Sequence, residues 1–237
     1  MGPFVLDVHT HTVASGHAYG TVMEMAKAAS DAGLELLAIT DHAPKMPGSC
    51  HEFHFVNFKA IDKELYGVKI LMGAELNIMD FKGSVDLPER MLKKLAVCVA
   101  SLHSVCIKPG TKKENTAAIL GAIENPHVNI IGHPDDGHFD IDYEEMVLHA
   151  KDAGVLIELN NSSLMPGTSR VNTHENLLKI LALCEKHGQR IVVNTDAHFP
   201  TAVGRFDKAR LILDEAQFPE ELVVNTSVDR FLSCLER

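Results

Sequence analysis

Seven short apolar runs recur along the chain, and each one stops on a histidine, a carboxylate or an amide. They are FVLDV (4–8), LELLAIT (34–40), VKILMGAE (68–75), LAVCVASL (95–102), VNIIG (128–132), VLIELN (155–160) and RIVVNT (190–195). Their near-continuous hydrophobicity predicts strands buried on both faces. Between them lie stretches with helical spacing. TVMEMAKAASDAG (21–33) ends on a glycine stop, and DYEEMVLHAKDAG (142–154) opens with Asp142 as N-cap and Glu145 three residues later. NTHENLLKILALCEKHG (172–188) carries apolar Leu177, Leu178, Leu181 and Leu183 before another glycine. Strands alternating with helices imply βα units and a parallel sheet. Seven or eight such units close most naturally into an α/β barrel of the TIM-barrel kind. An open doubly wound sheet is the competitor, but no G-x-G-x-x-G or phosphate loop follows any strand. No linker, repeat or low-complexity segment interrupts the 237 residues, so a single domain over 1–237 is expected.

The polar residue at the end of each run carries the functional expectation. His9 and His11 follow the first, His42 the second, Glu75 the third, His103 the fourth and His133 the fifth. Asn160 and Asn161 follow the sixth, and Asp196 and His198 the seventh. In a parallel barrel these ends form one rim, where active sites of that architecture lie. Residues i and i+2 of an extended segment share a face, so His9 and His11 can converge, as can Asp196 and His198. A lone H-x-H is weak, but the same chemistry at one strand end after another points to a metal site. Imidazole and carboxylate donors without thiolate suit zinc, manganese or iron in a catalytic site, and so many donors imply more than one ion. His127, His149, His174 and His187 are read as surface residues, whereas His51, His54 and His138 fall in loops on the rim side.

Composition narrows the classes. Fourteen histidines stand against three tyrosines and no tryptophan, and the net charge is -10 with histidine neutral. An acidic chain without a basic run repels a polyanion, which argues against a dedicated nucleic-acid binder. No apolar stretch approaches a membrane span and no leader pattern opens the chain. Five cysteines, odd in number and without C-x-x-C spacing, suggest reduced thiols in a cytoplasmic protein.

Taken in order, HTH (9–11), TDH (40–42), the isolated Glu75, SLH (101–103), GH (132–133) and TDAH (195–198) resemble the motifs of the PHP (polymerase and histidinol phosphatase) family. The resemblance runs over essentially the whole chain with the motif order complete. Its length and its NNSS and TSR stretches look closest to the stand-alone bacterial phosphatases of the YcdX-like group. The resemblance implies a distorted seven-stranded βα barrel with a trinuclear, usually zinc, site at the strand C-termini. It implies one ion on His9, His11, Glu75 and Asp196, and a second on Glu75, His103 and His133. The third would use His17, His42 and His198, and the role of His17 comes from the resemblance alone.

Three divalent ions would offset roughly six of the negative charges and leave a positive pocket suited to a small dianion. The expected reaction is in-line attack of a metal-bridging hydroxide on a small phosphomonoester. Arg170 is the candidate phosphate clamp, with Arg205 a weaker second. Asp41 is a candidate either to support a ligand or to protonate the leaving group. Residues 43–57 are read as a lid. The alternatives are a 3′–5′ exonuclease or phosphodiesterase acting on nucleic-acid ends, an amidohydrolase, which would want a lysine where His103 stands, and a non-catalytic metal store.

Overall fold

The computed structural model describes residues 1–236. Its strands are β1 (Leu6–Asp7), β2 (Leu36–Ile39), β3 (Glu64–Leu65), β4 (Val68–Met72), β5 (Ala74–Asn77), β6 (Cys98–Ser101), β7 (Ile130–Ile131), β8 (Leu156–Asn160) and β9 (Ile191–Asn194). They form a four-stranded sheet in the order β1-β2-β4-β3 and a five-stranded sheet in the order β5-β6-β7-β8-β9. The second sheet is parallel throughout. Single parallel bridges, Thr10↔Ala197 and His42↔Glu75, tie the two sheets together at two places.

The third apolar run behaves differently from expectation. It divides at Gly73 into β4, which pairs with β2, and β5, which pairs with β6. Gly73 donates its N–H to Ile39 O, while the next N–H, of Ala74, goes to Val97 O. A Cβ on residue 73 would sit 2.1 Å from Val97 O, so only glycine lets the chain change partner here. Glu75 therefore lies inside a strand rather than just past one. The antiparallel hairpin of β3 and β4 was also unexpected. It turns through Tyr66 (φ 54°) and Gly67 (φ 77°), the left-handed pair that a tight hairpin needs.

The helices are α1 (Val22–Asp31), α2 (Phe53–Val56), α3 (Glu89–Leu92), α4 (Lys112–Ile123), α5 (Tyr143–Ala153), α6 (Thr173–His187), α7 (Asp207–Glu215) and α8 (Val228–Ser233). Their ends follow from local chemistry. Thr21 and Thr111 form capping boxes with Glu24 and Glu114, Asp142 caps α5 through the Glu145 N–H, and α5 and α6 stop at left-handed Gly154 and Gly188. Among the described residues no helix is long and apolar enough to cross a membrane.

Alternate residues along each strand enter different apolar cores. Leu37, Ile39, Ile131, Ile157, Ile191 and Val193 join the large core that includes the helices. Leu36, Val99, Ile130, Leu156 and Val192 join a second one, which also takes in Phe231 of α8. On this second face the side chains change character along the strand: Val99 is followed by Ser101, Leu156 by Glu158 and Asn160, and Val192 by Asn194. The apolar half packs the interior. The polar half builds a floor at the C-terminal ends.

Candidate metal centre

β1, β6, β7 and β9 each place a donor two positions beyond their last residue: His9, His103, His133 and Asp196. His42 follows β2 by one residue more, and Glu75 enters from within β5. Glu75 is the hub. Its Oε1 lies 3.0 Å from His133 Nε2, 3.3 Å from His103 Nε2 and 3.4 Å from His9 Nε2. Its Oε2 lies 2.5 Å from His42 Nδ1 and 3.6 Å from His11 Nε2. Asp196 Oδ1 stands 3.1 Å from His11 Nε2 and 3.7 Å from His9 Nε2. The His17 ring stacks 4.9 Å from His42 and 4.8 Å from His198, centroid to centroid. All nine residues expected at the site thus lie in one crater.

The backbone is bent to achieve this. His133 (φ 29°) and Asp196 (φ 54°) both occupy left-handed conformations that cost a non-glycine residue about 1–3 kcal/mol and persist only where the surroundings enforce them.

Ring orientation decides which nitrogen each histidine offers. His9 Nδ1–H donates to Glu158 Oε1 at 2.7 Å, and His103 Nδ1–H donates to Asn77 Oδ1 at 2.8 Å. The Asn77 amide is itself oriented, because its Nδ2 donates to Asp86 and to Ala43 O. Ser15 Oγ donates to Asp41 Oδ1 at 2.7 Å and therefore accepts from His11 Nδ1–H at 3.0 Å. His198 Nδ1–H donates to Asp196 O. In each case the outward proton is held by the protein, so Nε2 turns a lone pair toward the crater.

Those lone pairs meet one another. His9 Nε2, His11 Nε2, His42 Nδ1 and Glu75 Oε2 are buried without a hydrogen-bond partner. Unpartnered buried polar atoms are costly, and acceptors aimed at acceptors need a cation to reconcile them. Three groups bring donor atoms within 4.8 Å of one another: His9, His11 and Asp196; His42, Glu75 and His103; and His11, His42 and His198. Nitrogen and oxygen donors without thiolate fit a catalytic zinc, manganese or iron. Charge supports the same fit. Burial works to raise Glu75 and Asp196, but the surrounding histidines, joined at Asp196 by Arg170, hold both well below the ordinary carboxylate range. His11, by contrast, is pulled down to about 3 by burial and by its neighbours His42 and His198, which keeps it a neutral donor.

The two residues expected to do catalytic work are present but already engaged. Asp41 accepts from Thr12 N, Thr12 Oγ1, Ser15 Oγ and His54 Nε2. Burial would raise it, yet these hydrogen-bond donors hold it at about 2, so it sits in the site as a carboxylate. Asp41 meets His11 through Ser15 and touches α2 through His54, the contacts expected of a residue that supports a ligand. Arg170 donates from Nη2 to Asp196 Oδ2 at 2.8 Å and from Nη1 to Asn160 Oδ1 and Ser163 Oγ at 3.2 and 3.1 Å. Three of its N–H donors are thus committed to protein acceptors, and its evident task is to hold Asp196.

Glu158 and Ser15 were not anticipated. A charge inside the apolar run VLIELN was the available signal for Glu158, since a buried carboxylate needs a reason. Of the other histidines, His149, His174 and His187 pair with Glu124, Glu215 and Glu144 away from the crater.

A model of the family described as PHP domain matches residues 7–233. A protein named a "probable phosphatase" from Clostridium novyi (strain NT) is 48% identical over 98% of this chain and 95% of its own length. Another from Acetivibrio thermocellus is 47% identical over 99% and 96%. Among solved structures, a histidinol phosphate phosphatase from Lactococcus lactis, complexed with zinc, L-histidinol and phosphate, superposes with a TM-score of 0.60 at 17% identity, covering 92% of this chain and 95% of that one. A chain from an archaeal ribonuclease P holding mature tRNA superposes at 0.56 with 18% identity, covering 97% and 87%. At these identities the two structures speak to the fold alone.

Proposed function

The chain belongs to the PHP domain family, and from that premise we propose that it is a metal-dependent phosphatase acting on small phosphomonoesters at a centre for three divalent ions. The observation that carries this reading is the set of four buried donor atoms, on His9, His11, His42 and Glu75, that face one another without partners. The names of the relatives agree with a phosphoric ester hydrolase. The two sheets and their bridges at Thr10↔Ala197 and His42↔Glu75 support a ring of seven strands, β1, β2 and β5 to β9, that closes as a distorted barrel within one domain. Five free thiols suit a reducing compartment.

His9, His11, Glu75 and Asp196 would hold the first ion, Glu75, His103 and His133 the second, and His17, His42 and His198 the third. Zinc fits these donors, and manganese or iron also suits them. Such ions, when bound, polarise phosphoryl oxygens and lower the pKa of water toward neutrality. The protein's own part is to fix the donors. Glu158, Ser15 and Asn77 orient imidazoles, and Arg170 keeps one oxygen of Asp196 engaged so that Oδ1 faces the crater. His17 and His198 are the more exposed donors, at the mouth where a phosphate ester would enter. His54, held against Asp41, brings the segment 43–57 over the same edge.

The test is elemental analysis of purified protein joined to a screen of phosphate esters. Close to three ions per chain, with phosphate released from monoesters and little cutting of single-stranded DNA, is the expected result. Robust DNA degradation with inert monoesters would replace this reading with a nuclease.

A further inference from the structure

Strand β8 is buried on both faces, yet it carries Glu158 with 1% of its surface exposed. A buried carboxylate is tolerated only when its charge is matched and its lone pairs are filled. Each oxygen of Glu158 has two donors. Oε1 accepts from His9 Nδ1 at 2.7 Å and from Asn194 Nδ2 at 2.8 Å. Oε2 accepts from the backbone N–H of His133 at 2.7 Å and from Asn160 Nδ2 at 3.0 Å. The amide directions are fixed by what the far ends do: Asn194 Oδ1 accepts from Val8 N, and Asn160 Oδ1 accepts from Arg170. No lone pair remains for an ion, so Glu158 is not itself a ligand.

Its two oxygens serve two different ions of the proposed centre. One sets the ring of His9; the other pins the backbone of His133 in its left-handed conformation. Building on the metal-centre reading, we propose that Glu158 is a positioning residue that couples the first and second metal positions, so that both are formed together and weakened together, while the third is independent. Among the described residues, the hydrogen bonds of Glu158 go to His9, His133, Asn160 and Asn194 and none goes to His17, His42 or His198.

The substitution Glu158→Gln tests this sharply, because it is nearly isosteric. However the glutamine turns, its NH2 meets two donors: His9 Nδ1–H and Asn194 Nδ2, or His133 N–H and Asn160 Nδ2. One side of the coupling must fail. Metal-stripped native protein and E158Q are titrated with zinc against a chromophoric chelator, and cobalt-loaded samples are compared by their visible absorption. Two of the three ions are expected to bind about 10–100-fold more weakly in E158Q, with the matching part of the cobalt absorption lost and the third ion unchanged. Glu158→Asp, which keeps four acceptor sites but retracts them, is expected to weaken the same two ions and serves if E158Q does not fold. Affinities all within threefold of native in a folded variant would overturn the coupling, as would equal weakening of all three ions. Native protein that takes up no divalent ion would instead overturn the metal centre on which the coupling rests.

Discussion

Arg170 commits three of its five N–H donors to neighbouring side chains of the site. Its fork spans Asp196, Asn160 and Ser163, and a lysine offers only a compact point charge in the same place. Arg170→Lys is therefore expected to keep the ion pair with Asp196, lose the planar alignment, and lower phosphatase kcat/KM by about 10–100-fold. If the loss appeared in KM alone, with kcat and zinc affinity at native values, a direct grip on phosphate would be the better account. The thiols give a second prediction at this scale. Burial pushes Cys98 and Cys184 up to about 12. In the unfolded chain they ionise near 9, so above that pH the unfolded state binds fewer protons and stability falls as pH rises. Two such thiols should together cost about 3 kcal/mol between pH 8 and pH 10. Urea unfolding of the native chain and of a Cys98→Ala, Cys184→Ala double variant at both values checks it. The drop should be smaller in the variant by about that amount, and equal drops would refute it.

At the scale of elements, the loop carrying His17 and the segment 43–57 are locked by two glycines. Gly16 sits at φ 82°, and a Cβ there would come 2.0 Å from Gly48 O. Gly33 has a similar φ of 75°, but a Cβ there meets nothing within 4 Å. Gly33→Ala should therefore cost only about 1 kcal/mol, the left-handed penalty. Gly16→Ala must also push the two loops apart, so its melting temperature should fall further and its phosphatase activity should drop with it. Equal effects in the two variants would show that the loops are not braced against each other. Elements were the most legible level of this chain. Long apolar runs and capped helices announce themselves through period and through single residues such as Asp142 and Gly188. What could not be read was the split at Gly73, because it depends on Val97 O from another strand. The β3 hairpin was hidden for a similar reason, since left-handed Tyr66 is an unusual choice for such a turn. The donors were legible because they recur at strand ends. Glu158, Ser15 and the engagement of Arg170 were not, because a group that acts through another is defined by contacts distant in sequence. His17, on an irregular loop, was found only by resemblance.

For the whole molecule, the crater is an electrostatic problem solved by convergence. Two carboxylates and seven histidines from loops and strands spread over the chain are brought together, and four of their atoms have no protein partner. In a chain of net charge -10, Arg170 pairs with Asp196, but among the described residues no lysine or arginine pairs with Glu75. Each ion that binds the folded crater and not the unfolded chain must then stabilise the fold by mass action, by about 4 kcal/mol when free metal is a thousandfold above its dissociation constant. For a domain of this size that corresponds to roughly 10 °C in Tm. Prolonged chelation should lower Tm by an amount of this order for each ion removed, and zinc should restore it together with phosphatase activity. The decisive comparison is Glu75→Gln, which removes charge from the hub that five imidazoles face. Its metal-free Tm should lie close to that of the stripped native protein, its gain on adding zinc should be much smaller, and its activity should fall on the order of 10²–10³-fold. A native-sized gain in Tm for E75Q would mean that zinc stabilises the chain from somewhere other than this crater.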